Sequence, residues 1–200
     1  MPLTTPARTP LALPVLLLAL LSGCMPKAAV LQAPAPLDVA VVAALEPLEE
    51  AQVLPVPDDL RQGIDALLTE RNLRPQSLPA DAWEGAFTKG RTTRFRVAHA
   101  ALASDADLVL VIEAFARYGS QLGGRYRWTV QVTASLAQTD KPEEAVSRSF
   151  EVPVFLQHHH EREAQAVSAA TGVIERQVGL LVDQVLGGLA EERPGGPSAE

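Results

Sequence analysis

Hydrophobic and polar positions alternate without a break through the middle of the second half of this chain. Tyr126, Trp128, Val130, Val132, Ala134 and Leu136 interleave with Arg127, Thr129, Gln131, Thr133 and Ser135. A period of two puts one set on a dry face of a β-strand and the other on a wet face. Ahead of it, residues 108–118 (LVLVIEAFARY) open as a continuous apolar run, as a strand covered on both sides does, and the glycines of residues 119–124 supply a turn. After it, Asp140, Lys141 and Pro142 make a second turn into residues 146–155, where Phe150, Val152 and Val154 share a face. Three successive strands joined by short turns predict an antiparallel meander.

At Glu161 the period changes. Ala164, Val167, Thr171, Ile174, Val178, Leu181 and Val185 step by three and four, which predicts a long amphipathic helix with its stripe laid on the dry face of the meander. Glu161 and Glu163 suit the positive end of its dipole, and Gly187-Gly188 is expected to stop it. The first half is read from shorter patterns. Residues 39–45 (VAVVAAL) predict a buried strand, and Asp58 is expected to cap a helix whose Leu60, Ile64, Leu67 and Leu68 form one face and which ends near Asn72. A short strand is expected around residues 76–78, then a second helix over residues 93–103 with Phe95, Ala98 and Leu102 on one side. The fold class is therefore α/β (α+β): a mixed sheet of about five strands with an antiparallel carboxy-terminal meander, packed by two shorter helices and one long carboxy-terminal helix.

The amino terminus follows none of these periods. Residues 1–10 carry Arg8 and no acid, and residues 11–21 (LALPVLLLALL) form an apolar run with Pro14 inside it. A spanning helix needs about 20 apolar residues, and this run has about half that, the length of a signal h-region. Leu21-Ser22-Gly23-Cys24 follows directly and resembles the lipobox of bacterial lipoproteins: an apolar residue, two small ones, then the cysteine. The resemblance implies cleavage before Cys24, acyl chains on its thiol and new amine, and a membrane anchor held by about 0.8 kcal/mol per buried methylene. Met25 stands where the enterobacterial inner-membrane retention signal would place Asp, so the outer membrane, facing the periplasm, is the expected address.

The expected organisation is thus a signal peptide over residues 1–23, a lipidated cysteine and Pro/Ala tether over 24–37, one domain over 38–189, and a disordered tail over 190–200. The order strand, helix, strand, helix, three strands, helix, with Ala106-Asp107-Leu108-Val109-Leu110-Val111-Ile112 leading into the third strand, resembles a known α/β domain. That domain is shared by the amino-terminal part of the Tol translocation protein, the curli-secretion lipoprotein and the lipoprotein activators of penicillin-binding proteins. The resemblance implies a non-catalytic envelope module that binds partner proteins, and it transfers no site residue beyond Cys24. An oligomeric secretion-pore subunit of the curli type is the alternative it also implies, and a hydrolase of envelope polymers is a further one.

Charge and motifs narrow the chemistry. With 17 basic against 24 acidic residues the formal net charge is −7, and removing residues 1–23 takes away one more positive charge, so a nucleic-acid partner is not expected. Arg91, Arg94 and Arg96 are the one basic group. Cys24 is the single cysteine, which excludes an intramolecular disulfide and a cysteine-based zinc site. His158 and His160 are candidate metal ligands, since alternate residues of an extended segment share a side and His159 does not; no further ligand is evident, so no metal or other cofactor is expected. His99 reads as a helix-face residue, the glycines of residues 119–124 as a hairpin because a phosphate loop opens a helix instead, and Asp58, Asp59, Asp105 and Asp107 as caps. Tyr126 and Trp128 read as core, and no Gly-x-Ser-x-Gly elbow or zinc-protease helix is present.

The lipobox makes one direct prediction: in a Gram-negative host the chain incorporates labelled fatty acid, and Cys24→Ser abolishes the label. Labelling that survives the substitution would contradict it.

Overall fold

Two crossover connections that run in opposite directions along the sheet set this architecture. A computed structural model describes residues 35–46, 53–88, 90–157 and 162–192, all belonging to one compact unit. The lipobox residues Leu21, Ser22, Gly23 and Cys24, most of the tether, and His158 and His160 lie outside the described residues, as do residues 193–200.

Strand β1 (Leu37–Leu45) is followed by the two-residue β2 (Leu54–Pro55), helix α1 (Asp58–Glu70) and β3 (Leu73–Ser77). Next come a single turn of helix, α2 (Ala80–Trp83), with a 3-10 turn (Glu84–Phe87), then α3 (Thr93–Leu102), β4 (Leu108–Leu122), β5 (Arg125–Gln138), a second 3-10 turn (Pro142–Glu144), β6 (Val146–Leu156) and α4 (Glu163–Glu192). The sheet runs β2-β1-β4-β5-β6, with β3 also paired to β1. β1 pairs parallel with both β3 and β4, while β4-β5 and β5-β6 are antiparallel. The chain crosses from β1 to β3 in one direction and from β3 to β4 in the other. Right-handed connections therefore put α1 on one face of the sheet and α3 on the opposite face.

Two cores result. Under α1 and α4, Leu60, Ile64 and Leu68 meet Val167, Ile174, Val178 and Leu181 over Leu110, Ile112, Val130, Val132 and Leu136. Under α2 and α3, Trp83, Phe87, Val97, Ala100 and Ala101 pack on Ala40, Val42, Ala44, Val109, Val111 and Ala137. Helices α1 and α4 are also tied by polar contacts. The Arg71 guanidinium donates to Asp183 at 2.7 Å, and Asp59 accepts from Leu60 N and from the hydroxyls of Ser168 and Thr171.

The meander and the long helix follow their sequence patterns, except that Ala164, expected on the stripe, is exposed while Ala166 and Ala170 are buried. Leu122 pairs with Arg125 across Gly123 and Gly124, whose φ angles of 56° and 78° belong to the left-handed region that a two-residue hairpin turn requires. Several finer expectations are corrected. Asp58 is not the cap of α1: Pro57 holds the extended cap position, and Asp58 is already helical, paired with Arg61. Helix α3 buries Arg96, Val97, Ala100 and Ala101, while Phe95 and Leu102 face solvent. Both stripes satisfy helical spacing; the small alanines allow close approach to the sheet, and only this rotation brings Arg96 inward. Helix α4 passes through Gly187 and Gly188 and takes up Ala190, because Val185, Leu186 and Leu189 still pack on the core. That packing offsets about 1 kcal/mol per glycine of lost helix propensity.

Ile174→Ala, in the fully buried stripe of α4, is expected to cost about 2–5 kcal/mol in urea unfolding. Leu180→Ala, half-exposed on the same helix, is expected to stay within about 0.5 kcal/mol, and equal losses would contradict this placement.

Candidate interaction surface

Helix α3 is short, and it covers the opposite face of the sheet over β1, the first part of β4 and the last residues of β5. Beyond it the odd-numbered residues of β5 and β6 form a polar face. Register places Ser135 beside Ser147, Thr133 beside Ser149, Gln131 beside Glu151, Thr129 beside Pro153 and Arg127 beside Phe155. The first three pairs are hydrogen-bonded across the strands, at 2.8 Å between the serine hydroxyls, 2.9 Å between Thr133 and Ser149, and 2.7 Å from Gln131 Nε2 to Glu151 Oε1. Ser147, Ser149, Glu151, Pro153 and Phe155 are all exposed, as are Arg127 and Gln131. One member of the expected wet face departs from it: Ser135 is fully buried, because β5 passes under the end of α3 there. The serine and threonine hydroxyls of the ladder are engaged with one another across the two strands.

A cluster of charges stands where the covered part of this face ends. Glu113 faces α3 from the apolar first part of β4, and Arg96 reaches it at 3.0 Å while also contacting Glu46 at the end of β1. Thr93 Oγ1 donates to Glu113 Oε2 at 3.2 Å, and the Arg96 guanidinium lies over the Phe87 ring at 4.6 Å. Arg96 and Glu113 side chains are 9% and 13% exposed, so the ions are largely removed from water. Burial lifts the Glu113 carboxyl above its ordinary value against the opposing pull of Arg96 and Thr93. Sequence reading missed this cluster by treating Arg91, Arg94 and Arg96 as one basic group. They separate: Arg91 lies over Phe95 at 4.5 Å, Arg94 is exposed and Arg96 is buried. The available signal was Glu113 itself, since an acid in a buried strand needs a partner.

The remaining candidates take structural places. Asp107 accepts the Asp38 N–H at 2.9 Å and, with the exposed Asp105, borders a shallow cavity of about 660 Å³ between the start of β4 and the end of α4. His99 stacks on Phe95 with ring centroids 6.0 Å apart. Trp128 is buried and meets Tyr118 edge-on at 5.8 Å, with Tyr126 packed against the core beside them. Gly119 is the bulge where the β4-β5 register shifts. Among the described residues no group of His, Cys, Asp and Glu is arranged to hold a metal ion, and no helix is long and apolar enough to cross a membrane.

No protein-family model and no curated protein matches the sequence. Solved structures similar to it include a hypothetical protein from Chlamydia trachomatis, with 13% identity, a TM-score of 0.44, and coverage of 76% of this chain and 97% of that one. A lipoprotein from Neisseria meningitidis is similar with 19% identity and a TM-score of 0.37, covering 76% and 99% of the two chains. The PelC dodecamer from Paraburkholderia phytofirmans is similar with 18% identity and a TM-score of 0.37, covering 70% and 86%. At these TM-scores the likenesses carry no argument about function, which is read from the chain's own residues.

The charge cluster predicts a pH signature. A carboxyl with a raised folded-state pKa binds its proton more tightly folded than unfolded, so Glu113 favours the fold most below the ordinary glutamate value of 4.5 and progressively less as pH rises through its folded value. Glu113→Gln is expected to flatten that decline in urea titrations from about pH 4 to 8. Arg96→Met leaves the carboxylates uncompensated and is expected to cost about 3–5 kcal/mol at neutral pH, with part regained on acidification. A pH dependence unchanged by Glu113→Gln would contradict the assignment.

Proposed function

We propose that this chain is a membrane-anchored lipoprotein of the bacterial envelope, a non-catalytic module that docks a partner protein on the open polar face of β5 and β6. The address comes from the sequence: a short h-region followed by Leu21-Ser22-Gly23-Cys24, with Met25 favouring the outer membrane and a periplasm-facing domain.

The observation that carries the docking role is the ladder from Thr133 and Ser149 to Arg127 and Phe155, which no described helix or strand covers. Its apolar reverse side is sealed by α4, so the face is held rigidly without facing the core. Preordered Gln131-Glu151 and Thr133-Ser149 pairs present donors and acceptors in fixed positions, which lowers the entropy lost when a partner binds. Arg127 and the half-exposed Phe155 stand together at one end, the residue types enriched where interfaces concentrate their energy. The partner expected on these grounds is an envelope protein with a polar surface and one pocket for an aromatic ring.

A photo-crosslinking residue at Thr129, in the lipidated full chain within intact cells, is expected to give one discrete adduct. Arg127→Glu with Phe155→Ala should reduce it at least tenfold, and the same crosslinker at Arg61 on α1 should give none. Adducts that form equally from Arg61, or that ignore the Arg127 and Phe155 substitutions, would overturn the docking surface while leaving the anchor intact.

A further inference from the structure

β6 closes the sheet, and among the described residues no strand lies on its outer side. The direction of its backbone groups follows from one hydrogen bond. Glu46 N donates to Ala114 O, so the even-numbered residues of β4 point their backbone toward β1, and the odd-numbered ones before the bulge point toward β5. Glu113 pairs with Thr133, so odd residues of β5 point back to β4 and even ones toward β6. Even residues of β5 pair with even residues of β6. The outward backbone groups of β6 therefore belong to Ser147, Ser149, Glu151, Pro153 and Phe155, all exposed. Pro153 fits independently, because a proline in a sheet sits where its missing N–H faces away from a neighbour. It blocks strand addition at the upper part of the edge. From Val146 to Val152 no described strand covers it, and an edge of this kind is a template for another strand.

We propose that a second copy of this chain occupies that edge, with the two β6 strands antiparallel about a two-fold axis at Ser149. Side-chain chemistry selects this register. An axis at Arg148 sets Arg148 against its own copy, and an axis at Glu151 does the same with a carboxylate; like charges directly opposite are unfavourable. An axis at Phe150 brings Pro153 opposite Ser147 and loses a backbone hydrogen bond. With the axis at Ser149, Ser149 faces its own copy and the Ser147 hydroxyl faces the Glu151 carboxylate of the other copy. On the reverse side Arg148 meets the Phe150 ring and Val146 meets Val152, pairing charge with aromatic and apolar with apolar. Pro153 falls outside the paired stretch. The contact is self-complementary, as a closed two-fold dimer requires. It joins the two sheets edge to edge and carries the Thr133-Ser149 ladder into the second molecule, leaving both polar faces open. The proposal rests on the edge of β6 and not on the docking role of its face.

The test uses the full chain extracted from envelopes in mild detergent. Hydrogen-bonded antiparallel partners have Cα atoms about 5.5 Å apart, within disulfide range. Ser149→Cys is expected to give a reducible covalent dimer under mild oxidation. Glu151→Cys, offset from its own copy by about 13 Å along the strand, is not, and the wild type, whose one cysteine is Cys24 with its thiol taken up by acylation, is expected to give none. Ser149→Pro removes one outward N–H and is expected to lower the dimer fraction at least tenfold in sedimentation, with circular dichroism confirming that the fold is kept. A wild type that stays monomeric at every concentration, crosslinking from Glu151→Cys equal to that from Ser149→Cys, or a Ser149→Cys adduct formed only with a different protein would each overturn the second-copy dimer.

Discussion

The unequal cover on the two faces of one sheet is the constraint on which the rest depends. Helix α4 runs the length of Glu163–Glu192 and seals the dry face of the meander with a continuous stripe from Ala166 to Val182. On the other face α3 offers only Thr93–Leu102. With α4 packed beside α1 on one side of the sheet and α3 on the other, β5 and β6 have one buried face and one wet face, and their alternating sequence satisfies both. A shift of one residue in either strand would put Val130 and Val152 in water and Thr129 and Glu151 under α4. The hydrophobic effect thus fixes the register, and the register aligns the polar ladder.

The margin between covered and open sheet is marked by the Arg96, Glu113 and Glu46 cluster. An ion group so far from water contributes little net stability, because desolvation offsets most of its Coulomb gain. Its physical effect is directional. Glu113 can be accommodated at that depth only with a guanidinium beside it, and Arg96 can reach it only when α3 presents Val97, Ala100 and Ala101 to the sheet. The pair therefore selects one rotation of α3 from the two that its apolar residues permit, and it fixes where the cover ends and the open face begins.

Legibility in the sequence followed from the length of each pattern. The alternation from Tyr126 to Leu136 and the stripe from Val167 to Leu181 extend over enough residues that no other arrangement buries them, and both are read directly. Helix α3 has few large apolar residues, so Phe95 and Leu102 outweighed the alanines that actually pack, and the deciding contact with Glu113 is tertiary. The two-residue β2 and the single turn of α2 are shorter than any period and exist because β1 and the Trp83-Phe87 cluster hold them. Gly187 and Gly188 read as a stop because propensity is local, whereas Leu189 packs on a core formed far away in sequence. The polar face was visible residue by residue, but its cross-strand partners required the pairing of β5 with β6. That pairing also turned the serines of β6, unremarkable in sequence, into members of the site.

The central claim is that the polar face of β5 and β6 is open in the isolated molecule and occupied in the envelope. Maleimide labelling of Thr129→Cys, in the purified full chain and in intact envelopes, tests this most directly. The account predicts rapid labelling of the purified protein and strong protection in the envelope, lost when the partner is stripped away by high salt and detergent. Equal labelling rates in both states would contradict it, since a face that stays open where the protein works is not its docking surface.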